Sequence, residues 1–253
     1  MFDINRNGEG PISLMHTTPS RRHHTAENGG MKGIVSTMSM SGGGLLAAGT
    51  FSRWVGLYDG YGRGDTVGVF QIAGENEKED GTDGNGITQV LWSACDRYLC
   101  TIERASDGVA IWDIRGTGKK LAWLRGRKAR TQQRLGVDLM GVGVWAGGTD
   151  GAVRLWEGLG QTEGVHDPKL EFWAHNDAVT STTLHRTGSV LGTCSGQRHL
   201  ETHTTDASNG AYSDTDSSET PSRSSQKSQS SLSSEVETSP AHAFDNSMKV
   251  WAL

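Results

Sequence analysis

The sequence has little of what membranes, disulfides or hydrolytic chemistry require. No window of its 253 residues approaches 18 uncharged apolar side chains, so no helix is expected to cross a bilayer. The opening Met1-Phe2-Asp3-Ile4-Asn5-Arg6 lacks the apolar run of a signal peptide, and a cytosolic or nuclear protein is expected. Three cysteines, Cys95, Cys100 and Cys194, include no C-x-x-C pair, which argues against a disulfide framework or a zinc site. Cys100 and Cys194 fall at strand positions suited to small core residues. There is no G-x-S-x-G elbow, no H-E-x-x-H and no carboxylate pair placed for acid–base work. His23-His24 has no further ligands at metal spacing, and Gly116-Thr117-Gly118-Lys119-Lys120 lacks the first glycine and the Ser/Thr of a phosphate loop. The expectation is a protein without catalysis, cofactor, metal, membrane contact or small-molecule substrate.

What is present is glycine and tryptophan: 35 and 8 residues, with 34% hydrophobic residues overall, which suits a β-rich chain with many turns. Thr149-Asp150-Gly151-Ala152-Val153-Arg154-Leu155-Trp156-Glu157 places an Asp-Gly turn before a strand whose apolar positions alternate up to an aromatic. Ser106-Asp107-Gly108-Val109-Ala110-Ile111-Trp112-Asp113 repeats it. Phe51 to Asp59 and Asp245 to Trp251 carry weaker copies, and Phe2-Asp3 reads as the tail of a fifth. Trp112 and Trp156 are 44 residues apart and Tyr58 and Trp112 are 54 apart, bracketing the period of roughly 40–45 for four-stranded propeller blades. A helical array would have to cross many glycines, each costing roughly 0.5–1 kcal/mol relative to alanine.

The fold expected is therefore an all-β propeller of about four blades plus one partial blade. Residues 1–30 hold the partial blade and a polar connector, and 31–200 the blades. Residues 201–243 form a disordered insertion, with 13 serines and 6 threonines between Glu201 and Pro240, and 244–253 the closing strand of the last blade. His175, ahead of an inner strand, is expected to hydrogen-bond within its blade.

Eight basic residues, Arg115, Lys119, Lys120, Arg125, Arg127, Lys128, Arg130 and Arg134, fall between Ile114 and Val137 with no acidic one. On a chain of net charge −5 this segment reads either as a solvated outer strand that discourages edge pairing or as a contact for a phosphate backbone. Trp123 and Trp145 lie near enough in sequence to stack a base, or serve as core.

The repeats resemble WD repeats. Ala48 to Tyr58, Arg130 to Leu139, Gly148 to Trp156 and Thr193-Cys194-Ser195-Gly196-Gln197-Arg198 together resemble the telomerase Cajal body protein family. The resemblance covers roughly Met1 to Arg198 plus the closing strand, and its Gln-Gln-Arg and Ser-Gly-Gln-Arg pieces are unusual in other propellers. It implies a seven-bladed propeller of which this chain is the C-terminal part of a truncated, fungal-type member. It further implies a nuclear, non-enzymatic adaptor for small Cajal-body (box H/ACA) RNAs and telomerase RNA, with ribonucleoprotein partners. The residues it points to are Arg53, Gln133, Arg134, Gln197 and Arg198, beside Arg125, Arg127, Lys128 and Arg130 of the basic segment; arginines in these turns are equally suited to bracing neighbouring blades. The rival expectation is a protein-only WD-repeat scaffold, of a spliceosome-associated kind, without direct RNA binding.

Overall fold

The computed structural model describes residues 5, 8, 10–11, 30–72, 84–116, 118–141, 143–196 and 244–253. The described strands belong to one compact unit, Met1–Gln197 with Phe244–Leu253; the second unit, Arg198–Ala243, lies outside the described residues. So do the expected partial blade at Phe2–Ile4 and Ile12–Thr17, the pair His23-His24, the insertion from Glu201 to Pro240, and the candidates Gln197 and Arg198.

Among the described residues, sixteen strands form four sheets in chain order. Sheet A is β1 (Val35–Met40), β2 (Leu46–Thr50), β3 (Trp54–Tyr58) and β4 (Thr66–Gln71). Sheet B is β5 (Ile87–Trp92), β6 (Tyr98–Glu103), β7 (Gly108–Asp113) and β8 (Lys120–Arg125). Sheet C is β9 (Val137–Met140), β10 (Gly143–Gly147), β11 (Ala152–Trp156) and, beyond β12 (Gly164–His166), β13 (Leu170–Trp173). Sheet D has β14 (Val179–Leu184), β15 (Val190–Ser195) and β16 (Met248–Ala252). Sheets A, B and C each contain a four-stranded antiparallel meander, B with β12 added at its edge, and sheet D has three antiparallel strands among the described residues. The same register shift recurs near the start of the inner strand, at Val35/Thr37, Ile87/Gln89 and Val179/Ser181, so the repeat seen in sequence extends to a β-bulge.

One strand was not foreseen. β12 runs parallel to β8, pairing Gly164 with Ala122 and His166 with Leu124, and covers the edge of the basic outer strand. The expected device of lysines guarding a free edge is therefore replaced there by direct pairing.

Alternation along the third strands decides which face meets which neighbour. Val55 and Leu57 pack with Ile87, Leu99, Ala110 and Trp112 between sheets A and B. Val109 and Ile111 pack with Val137, Val144 and Trp156 between B and C, and Val153 with Val179 and Leu191 between C and D. In every case the terminal aromatic faces the preceding sheet and the residues one and three before it face the following one. The turn chemistry is as strict: Gly151 has φ +80, and a Cβ there would fall 2.0 Å from the carbonyl oxygen of His175.

Side chains also stitch inner strands across the sheets. The Gln89 amide donates to the Val137 carbonyl and accepts from the Val137 N–H, both at 2.9 Å. Ser36 Oγ donates to the Ile87 carbonyl at 2.5 Å, and Thr182 Oγ1 to the Trp145 carbonyl at 3.0 Å. Cys100 is fully buried, as a core residue should be, and burial pushes its thiol up to about 12.

Candidate nucleic-acid interface

Every described candidate lies at one end of the strands, where the turns joining second to third strands meet the connectors between sheets. Arg53 sits in the β2–β3 turn. Arg125 ends β8, and Arg127, Lys128, Arg130, Gln133 and Arg134 follow in the connector to β9. Hydrogen bonds hold this connector against the turns: the Ala105 N–H donates to the Thr131 carbonyl, and the Thr149 N–H to that of Lys128, both at 2.9 Å.

The candidates differ in what they already hold. Arg53, at φ +64, places Nε 2.8 Å from Glu103 Oε1 with both side chains largely buried, so it ties the sheet A turn to the end of β6. Gln133 Nε2 donates to the Gly196 carbonyl at 2.9 Å and links the connector to sheet D. Arg127 is 1% exposed. Its Nη2 donates to the Leu135 carbonyl at 2.6 Å, while its Nε has no hydrogen-bond partner. Burial alone pushes this guanidinium down to about 10, which still leaves it charged at neutral pH.

The cations of the segment are not uncompensated, as the absence of acids within it suggested. Arg125 makes a two-pronged pair with Asp167 at 2.6 and 2.8 Å, Arg115 pairs with Asp113, Lys128 with Asp150 and Arg130 with Asp107. Folding imports three of these acids, Asp107 and Asp150 from the Asp-Gly turns and Asp167 from beyond β12, while Asp113 borders the segment in sequence. Arg134 is exposed and has no ion-pair or hydrogen-bond partner among the described residues. Lys120 lies 6.0 Å over the ring of Trp123. Trp123 and Trp145 are both buried in the intersheet cores, which removes the expectation that they stack a base.

Sequence reading missed three features of this end. Arg154, fully buried, reaches Asp150 Oδ2 at 2.6 Å, Glu171 Oε1 at 3.0 Å and the Arg127 carbonyl at 3.2 Å. Arg104 lies 4.2 Å over the exposed ring of Phe51, beside Arg53, and Trp173 stands exposed at the end of β13. With Phe244, ahead of β16, they are exposed aromatics of this end among the described residues. The signal available was the aspartate recurring at one turn position, Asp107 and Asp150, which marks where connector cations are received. A cavity of about 140 Å³ lined by Asp113, Gly116, Lys119, Lys120, Leu121 and Glu163 lies at the opposite strand end, away from all of these.

His175 behaves as read. Its Nε2 is 2.8 Å from Thr193 Oγ1, which also accepts from Trp251 Nε1 at 2.9 Å, and its Nδ1 is 3.3 Å from Asp245. Burial pushes the imidazole below its ordinary value; Asp245 opposes that and Lys249 adds to it. In sheet B, Trp112 Nε1 donates to Thr101 Oγ1 at 2.8 Å without a histidine behind it.

Antiparallel meandering sheets, third strands closed by an aromatic, and this His–Thr–Trp relay define a protein of WD-repeat type. No protein-family model matches the chain. Human Telomerase Cajal body protein 1 is 30% identical over 177 residues, covering 68% of this chain and 30% of the relative. The Guanine nucleotide-binding protein negative regulator 1 of Schizosaccharomyces pombe is 33% identical over 139 residues, covering 54% and 33%. Among solved structures, a chain of a mitotic checkpoint complex aligns with a TM-score of 0.49 at 20% identity, covering 64% of this chain and 44% of that one. The chain is thus a WD-repeat relative of the telomerase Cajal body proteins, and it spans about a third of the length of the curated relatives it matches.

Proposed function

We propose that this chain is a non-enzymatic, nuclear WD-repeat adaptor whose sheets are blades of a β-propeller and whose turn-and-connector end binds RNA of the small Cajal-body (box H/ACA) or telomerase class, alongside ribonucleoprotein partners. The observation that supports it most is the gathering of Arg125, Lys128, Arg130 and Arg134 with the exposed rings of Phe51 and Trp173 at one strand end, in a relative of proteins named for telomerase and the Cajal body. Exposed ion pairs contribute only about 0–1 kcal/mol each, so a phosphate can displace Asp167 or Asp107 at small cost. Release of counterions then favours the complex. Arg53, Arg127 and Gln133 act in this reading by positioning the turns; Gln197 and Arg198 remain candidates by resemblance.

The test is filter binding of the purified chain to a box H/ACA stem-loop and to an unrelated hairpin of equal length, across a salt series. Tighter binding of the first, with a steep loss of affinity as salt rises, is expected. Equal binding of the two RNAs, or none, overturns the proposal. A second reading, a protein-only scaffold, draws support from the acids that pair four of the eight cations; it requires the Arg125, Lys128, Arg130 and Arg134 alanine variant to bind RNA no differently from the parent.

A further inference from the structure

The basic segment between Ile114 and Val137 contains two hydroxyl side chains: Thr117, which lies outside the described residues, and Thr131. Thr131 stands in the connector from β8 to β9, a stretch without regular secondary structure, directly after Arg130 and three residues before Arg134. It is partly exposed, and Lys128, Arg130, Gln132 and Arg134 around it are exposed. Its backbone is fixed: the Ala105 N–H donates to its carbonyl at 2.9 Å, and its own N–H donates to the Ala129 carbonyl at 2.8 Å. Its Oγ1 accepts the Gln133 N–H at 3.1 Å, a short side-chain turn at the surface. Hydroxyls at the neighbouring turns are placed differently. Thr149 Oγ1 donates to the Lys128 carbonyl at 2.7 Å, and Ser106 is buried.

The surroundings of Thr131 suit a phosphate in two ways. Arg125, Lys128 and Arg130 precede it by six, three and one residues, a run of surface cations that an acidic enzyme groove reads by charge complementarity. Around the hydroxyl, Arg134 has no ion-pair or hydrogen-bond partner among the described residues, and the exposed pair of Arg130 with Asp107 exchanges partners at small cost. A phosphothreonine carries about −1.5 to −2 charges at pH 7 and three acceptor oxygens, and beside arginines it forms charge-assisted hydrogen bonds.

We propose that Thr131 is a phosphorylation site for an arginine-directed protein kinase, and that the phosphate, held by Arg130 and Arg134, switches off RNA binding at this end. In the transfer the Thr131 oxygen bonds to the γ-phosphorus of ATP and the bond to the β–γ bridging oxygen breaks. ADP leaves, and the hydroxyl proton passes to a base of the kinase. The two arginines are then neutralised from within. For a single-stranded contact the log–log salt slope should fall by about 1.4, or about 0.7 for each cation withdrawn. The effect on RNA rests on the function proposed above, whereas capture of the phosphate does not.

The test treats the purified folded chain with an arginine-directed kinase and ATP, locates the phosphate by mass spectrometry, and follows it by phosphorus NMR and by filter binding. Phosphate is expected on Thr131 and absent from Thr131→Val. Its second ionisation, ordinarily near about 6, should lie lower in the folded chain than in the same chain in urea, and should move back up in Arg134→Ala. Binding of the box H/ACA stem-loop should weaken with the smaller slope, while kinase-treated Thr131→Val binds as the untreated parent does. No phosphate on Thr131 of the folded chain overturns the proposal. So does a phosphate that titrates alike in folded and unfolded chains, or one that leaves RNA binding unchanged. A chain that binds no RNA before treatment overturns the function proposed above and the switch with it, and the titration alone then decides whether Arg130 and Arg134 hold the phosphate.

Discussion

At one end of its strands the protein keeps two kinds of arginine. Arg154 and Arg127 are enclosed, the first holding Asp150, Glu171 and a carbonyl, the second holding a carbonyl alone. Arg125 and Arg130 stand in solvent against Asp167 and Asp107. Charge identifies none of these roles, because desolvation makes a buried pair costly to break, whereas an exposed pair exchanges partners readily. The sharpest way to break the comparison is Arg154→Ala. It leaves Asp150 partly buried without its closest cation and should destabilise by about 3 kcal/mol, the low end for buried pairs because Glu171 is half exposed. Urea denaturation reads this; a loss comparable to that of Arg125→Ala would erase the distinction.

Acid sharpens the same contrast. Burial raises the Asp150 carboxyl, but hydrogen bonds from Arg154 and Lys128 outweigh it and hold the group below its usual range. The unfolded chain therefore takes up this proton at higher pH than the folded one. The resulting stability is present above about pH 3.9 and is lost as pH falls through the folded value. His175 adds an earlier limb. Burial depresses its folded value, so below about pH 6.5 the unfolded state binds the proton first and stability declines as pH drops. Urea midpoints measured from about pH 8 downward should show both limbs. The upper one should vanish in His175→Gln and the lower one shrink in Arg154→Ala.

Arg127 tests the other side of enclosure. Among the described residues its charge has no acidic partner and its Nε no acceptor, so only the hydrogen bond to the Leu135 carbonyl offsets the cost of desolvation. Replacing it with methionine should leave stability unchanged or raise it by about 1 kcal/mol, as buried charges exchanged for apolar side chains of similar volume often do. A large loss of stability would mean that the hydrogen bond to Leu135 outweighs the buried charge.

Strand positions were legible because the evidence for them is local. Alternation toward Tyr58, Trp112, Trp156 and Trp251, with Asp-Gly turns ahead of two of them, carries the strand, its face and its end in a few adjacent residues. The site was legible only in part. The basic run between Ile114 and Val137 is visible, but its partners Asp107, Asp150 and Asp167 come from other turns and strands, and nothing local reports that Arg127 is inside while Arg130 is outside. β12 escaped notice for the same reason: Gly164–His166 has no alternation long enough to mark a strand, and it forms because the edge of β8 supplies the partner. For Trp123 and Trp145 the sequence leaves base stacking and core open alike, and burial in the intersheet clusters decides for core.

The smallest expected effect on stability discriminates function best. Arg125→Ala, Lys128→Ala, Arg130→Ala and Arg134→Ala, made singly, should each change stability by about 0.5 kcal/mol or less, since each removes at most an exposed ion pair. In combination they should weaken binding of a box H/ACA stem-loop and flatten its salt dependence. For a single-stranded contact the log–log slope should fall by about 0.7 for each phosphate no longer neutralised, and by about 0.9 if the contact is duplex. A drop in slope without a drop in stability separates these four residues from Arg154 and Arg127 by function and not merely by burial. An unchanged slope would instead mean that these four side chains neutralise no phosphate, and would leave the RNA contact to other groups of this end such as Phe51 and Trp173.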